Sequence, residues 1–200
     1  VTALAVAGLF CASLFGWGRL LSVPLPLFGT MALGAIVVVF IGGLLNLVGA
    51  VSGLASAAVA LVGCALACWR RPAVESVSRR RVLWHLPTAL LILGFSLGFP
   101  LGALNPVDDY QNYLVVPYRM LQTGTAAGNP LGSLGADSLG AQAFLHALLL
   151  WGLPANFASV VDPLAFMVIG AGLASEVSRR LGASLPVQGL ASSSLVVIHL

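Results

Sequence analysis

The sequence contains no lysine, and charge of either sign is scarce: nine arginines and six acids in 200 residues. Charged residues make up 8% of the chain, against about 25% in soluble domains. So little charge cannot cover a water-facing surface, which excludes a soluble globular domain. The missing lysine is read as codon bias rather than chemistry. The net charge of +3 comes from arginines clustered between apolar runs, as loop charges are, so it is no footprint of a nucleic-acid binder. Cysteine is also sparse. Cys11, Cys64 and Cys68 all lie in apolar runs, which excludes a disulfide framework and suits small buried residues of membrane helices. No Walker loop, GxSxG elbow or HExxH motif occurs. No charged leader with a small-residue cleavage site marks a signal peptide.

What is abundant is apolar sequence: 59% hydrophobic residues and a mean hydropathy of +1.02. These predict an all-α, polytopic transmembrane helical bundle, with the lipid bilayer as its first partner. A span needs about 20 apolar residues. Val1 to Trp17 is one candidate, ending at Arg19. Leu27 to Trp69 suits two, with a hairpin between Gly42-Gly43 and Gly53. Leu83 to Leu101 and Phe157 to Ser175 are two more, and Gly189 begins another apolar run. Gly49 and Gly53 have GxxxG spacing, and Gly94, Gly98 and Gly102 form a ridge expected to pack on a neighbouring helix. The chain divides into 1–82, spans with a basic loop, and 83–200, which carries the longest polar loop, 102–156. Both termini fall inside apolar runs, so a piece of a longer protein is expected.

Arginine placement predicts sidedness. The loops holding Arg70 to Arg81 and Arg179-Arg180 are expected in the cytoplasm, with Arg19. Loop 102–156 is then expected on the periplasmic or extracellular side of an inner membrane. One span leads out, so the chain crosses back an odd number of times before Arg179. Ala141 to Trp151 is only about 16 Å long as a helix. It is therefore read as lying at, or dipping into, the outer interface.

The polar stretch Asn105 to Gly140 holds three of the six acids: Asp108, Asp109 and Asp137. Tyr110, Tyr113, Leu114, Pro117, Tyr118 and Leu121 recur at helical spacing and form one amphipathic face. Pro117 is expected to kink that helix and Gly124 to end it. Asp108-x-x-Gln111 fits a capping box, and Asp109 would complement the helix dipole. Two adjacent carboxylates can equally hold a divalent cation or supply a general base. Arg119 suits a phosphate or can snorkel to lipid headgroups. His85 and His146 lack metal-ligand spacing. Asp137-Ser138 reads as an N-cap, and Asp162 before Pro163 as a cap at a helix start.

A span ending in an acid pair, then a surface-lying helix, resembles the GT-C superfamily of polytopic membrane glycosyltransferases. The residues that carry the resemblance are DDYQNYLVVPYRMLQTG, from Asp108 to Gly124, followed by LGAQAFLH, from Leu139 to His146. Protein O-mannosyltransferases and aminoarabinose transferases belong to that superfamily. The resemblance implies transfer of a sugar from a polyprenyl-phosphate-linked donor on the outer face. It implies Asp108 or Asp109 as catalytic acid-loop residues, with Mg or Mn as the cation they would hold. It implies Tyr110, Tyr113 and Arg119 at the donor. About three spans precede the acid loop here, where such enzymes often have one. The alternatives from other classes are a transporter or permease component, and a non-catalytic membrane scaffold.

Overall fold

The computed structural model describes residues 2–69, 79–98, 114–127 and 140–199. The fold is all-α: eight α-helices and no strand among the described residues. They are α1 (Thr2–Arg19), α2 (Leu27–Leu47), α3 (Gly53–Trp69), α4 (Arg79–Gly98), α5 (Val115–Thr123), α6 (Ala141–Leu150), α7 (Met167–Arg180) and α8 (Leu185–His199). A 3-10 turn (Ala155–Val160) and a π turn (Val161–Phe166) lead without a break into α7. Three helices are long and apolar enough to cross a membrane: α1, α2 and the run Ala155–Arg180. Shorter apolar helices lie beside them. Leu9, Ile36, Phe40, Leu54, Leu61 and other large apolar side chains are exposed around this bundle. Such a surface belongs in lipid, and the chain is a multi-pass membrane protein.

Close backbone approach holds α1 between α2 and α3. A Cβ on Gly34 would collide with the carbonyl of Leu14, one on Gly18 with that of Thr30, and one on Gly16 with that of Gly63. Small residues let helices meet this closely where lipid gives no hydrophobic drive between them. The Trp17 indole N–H adds a hydrogen bond to the Val59 carbonyl, 2.9 Å. On the other flank α8 lies against α4 and α7. Thr88 Oγ1 and Ser193 Oγ are 2.9 Å apart, and Ser192 donates to the Ala171 carbonyl at 3.0 Å.

The bundle has two distinct ends. At the arginine end lie the C-termini of α1 and α7 and the start of α2. Pro26, the N-cap of α2, has no side-chain donor or acceptor to offer. Glu176 of α7 does that work instead, accepting from the Phe28 and Gly29 amides at 3.0 and 3.1 Å. A carboxylate there satisfies two orphan N–H groups and complements the helix dipole. Glu176 thus ties α7 to α2. His85 Nε2 lies 3.3 Å from Ser175 Oγ, which sets the start of α4 at this end as well.

The opposite, hairpin end is where α2 turns into α3. The turn falls at 48–52, within the expected window. Gly42 and Gly43 stay helical, and Gly49 takes the turn with φ +68°. Gly49 and Gly53 therefore do not share a helix face, which removes the GxxxG reading. Ser52 caps α3 through the Ala55 amide, 3.1 Å. The ridge through Gly94 is not packed at that residue either, where a Cβ would meet nothing within 4 Å. Helix α4 carries Pro87 inside it, and its described apolar part, Leu83–Phe95, is shorter than the span expected over Leu83 to Leu101.

Candidate functional site at the hairpin end

The described part of the polar stretch, 114–127, is fastened to the hairpin end by main-chain geometry. Helix α5 stops at Gly124, whose φ of +86° only glycine adopts freely. A Cβ there would also strike the Gly49 carbonyl. The Gly124 carbonyl accepts from the Val51 amide at 3.0 Å. The side chain of Asn46, 5% exposed, completes the joint. Its Oδ1 accepts from the Ala126 amide at 2.6 Å and from Thr125 Oγ1 at 3.1 Å. In the sequence Asn46, among the glycines from Gly42 to Gly53, marks the hairpin but not its partner. Its position near a helix end, among glycines, was the one available signal.

Helix α6 closes the same end. Phe144 fits over Gly42, Gly140 sits against Met120 and Asn46, and Trp151 lies by Gly53. Both ends of α6 therefore stay with the α2–α3 hairpin, and α6 does not traverse the bundle. That is the behaviour its length predicts. It is more enclosed than expected: Phe144 through Leu150 are all buried, His146 among them at 4% exposure.

The face expected on α5 exists in its described part. Leu114 and Pro117 are buried, Tyr118 and Leu121 half-buried, and Gln122 is exposed. Leu114 packs with Leu150 and Ala158, and Tyr118, Leu121 and Ala155 surround them. Pro117 is expected within a helix that it would kink, but the described helix begins only at Val115. Pro117 lies in the first turn of α5, where its missing N–H would have had no intrahelical partner.

Arg119 is the one expected site residue that the structure describes. It is half-buried. Its Nη2 donates to the Ala127 carbonyl at 3.0 Å, so the guanidinium folds back along its own segment. Its Nε is buried with no hydrogen-bond partner, as is Oδ1 of Asn156 in the 3-10 turn. Asn156 escaped the sequence reading. Its only mark there was a polar residue after Pro154 at the head of an apolar run.

Asp108, Asp109, Tyr110 and Tyr113 lie outside the described residues, as do Asp137 and Ser138. The N-cap position of α6 itself is held by Gly140, with no side-chain cap. Asp162 and Pro163 fall in the π turn, well inside the run from Ala155 to Arg180. Asp162 therefore does not begin a helix; the 3-10 turn after Pro154 does so earlier. Among the described residues no group of three His, Cys, Asp or Glu is placed to hold a metal ion. Of the three cysteines, Cys11 is buried, Cys64 half-buried and Cys68 exposed.

Comparison with protein-family models, with curated proteins and with solved structures finds no match.

Proposed function

We propose that the chain is part of a membrane glycosyltransferase that moves a sugar from a polyprenyl-phosphate-linked donor to an acceptor hydroxyl at the hairpin end, on the outer face. The observation that carries the reading is the fastening of the polar stretch. Asn46, Gly124 and α6 hold its described segments to the end of an apolar bundle. Asp108 and Asp109 precede α5 by a few residues in sequence. In the reaction, one carboxylate takes the acceptor hydroxyl proton. The acceptor oxygen bonds to the anomeric carbon, and the bond from that carbon to the phosphate oxygen breaks. The electron pair leaves with the polyprenyl phosphate. A Mg or Mn ion on the acid pair would stabilise charge on the departing phosphate. Arg119 serves the donor phosphate, with Tyr110 and Tyr113 beside it at the membrane–water boundary.

The test is transfer from a polyprenyl-linked sugar by the full-length protein carrying Asp108→Asn or Asp109→Asn. Loss of at least two orders of magnitude in one of them is expected. Full activity in both, with normal folding, removes the assignment.

A second reading, a transport component, is favoured by one feature. The run Ala155–Arg180 changes from 3-10 to π to α winding where it carries Asp162 and Pro163. Interrupted helices and intramembrane carboxylates are features of transporters. Loss of solute flux in Asp162→Asn, with sugar transfer absent from the natural protein, would favour it.

A further inference from the structure

The arginine end has a composition that the proposed transfer reaction does not use. Arg19 closes α1, Arg179 and Arg180 close α7, and Arg79 opens α4. Arg70 and Arg71 follow the last residue of α3 in sequence. The contacts of Glu176 with α2, of Gly18 with Thr30 and of His85 with Ser175 bring these helix termini to one end. Arg179 and Arg180 are exposed. Glu176, the one acid of this end whose side chain is described, already accepts two amides of α2, so its charge is committed to that helix. Arg19 lies over the Phe15 ring at 5.4 Å, and its Nη1 is buried with no hydrogen-bond partner. Exposed apolar side chains lie at the same helix ends. Trp69 is 84% and Leu181 81% exposed, with Leu20, Leu21 and Trp84 also open.

Cations set among exposed Trp and Leu at one end of an apolar bundle form a surface for lipid headgroups, the rings at the interface and the guanidiniums on phosphates. We propose that the arginine end, centred on Arg19 and the Arg179-Arg180-Leu181 turn, is a docking face for anionic phospholipids. The attraction needs phosphodiesters carrying net negative charge; a zwitterionic headgroup cancels it. Arginine forks suit the phosphate oxygens, and Leu181 and Trp69 enter the acyl boundary beside them. The inference is independent of any reaction at the hairpin end.

The chain, purified in detergent, is titrated with short-chain phosphatidylglycerol and, separately, with phosphatidylcholine of equal chain length. Bound lipid is counted by native mass spectrometry. A preference for the anionic lipid on the order of tenfold is expected from about two basic residues at the headgroup level. It falls toward unity in the double variant R179Q/R180Q, whose thermal unfolding stays unchanged because both side chains are exposed. It returns in R179K/R180K, which keeps the charge. Inorganic phosphate at matched concentration does not displace the lipid. Equal binding of both lipids, an undiminished preference in R179Q/R180Q, failure of the lysine pair to restore it, or displacement by inorganic phosphate would each overturn the proposal.

Discussion

Two polar side chains, Asn46 and Glu176, do for this bundle what buried apolar contact cannot do in lipid: they fix its two ends. Asn46 serves the hairpin end, where its Oδ1 is the acceptor for the buried Ala126 amide. Asn46→Ala leaves that amide without a partner. The expected cost is about 1–3 kcal/mol, read as a lower unfolding midpoint in detergent. Hydrogen exchange at Ala126 should speed up by more than global unfolding explains. Glu176 serves the arginine end. Glu176→Ala removes the acceptor for two amides of α2 and should cost about 1–2 kcal/mol. Glu176→Gln, which keeps an oxygen but loses the charge, should fall between. If both Glu176 variants match the natural chain in thermal unfolding, the tie between α7 and α2 has no energetic weight.

At the scale of elements, glycine divides into positions that close a contact and positions that do not. Gly34 of α2 meets the Leu14 carbonyl, whereas Gly94 of α4 faces open space. Gly34→Val should cost about 2–3 kcal/mol by forcing α1 and α2 apart. Gly94→Ala should leave the fold intact and gain about 0.5–1 kcal/mol of helix stability. Equal effects in thermal unfolding would contradict this assignment. The sequence spacing pointed the other way, to Gly94 and to the Gly49–Gly53 pair. Spacing identifies which glycines share a face of an ideal helix. It does not say which face meets a neighbour, nor that a helix runs through both. Apolar length transmitted for α1, α2, the run Ala155–Arg180 and the short α6, whereas α3 and the apolar part of α4, Leu83–Phe95, are shorter than the spans expected there. The joints were not legible. Asn46 meets Thr125 and Ala126 far along the chain, and Glu176 meets Phe28 and Gly29 farther still. No local pattern encodes such a partner. Pro117 was misjudged because the described helix starts at Val115, late enough to place proline in its first turn.

At the scale of the whole molecule, the chain is a bundle with a polar joint at one end and arginines at the other. That polarity is what the proposed chemistry requires: an apolar body for the polyprenyl tail, and a fixed polar segment where its phosphate would emerge. The proposed reaction further requires that the hairpin end face outward, since it would use its donor on that side. Orientation is therefore the claim on which the rest depends, and it can be read without knowing the sugar or the acceptor. In a protein whose Cys11, Cys64 and Cys68 are replaced by serine, Ser133→Cys supplies a single thiol within the polar stretch. Intact cells are treated with a membrane-impermeant maleimide. Labelling of Ser133→Cys without permeabilisation is expected; labelling only after the membrane is opened would contradict the orientation and the proposed reaction together.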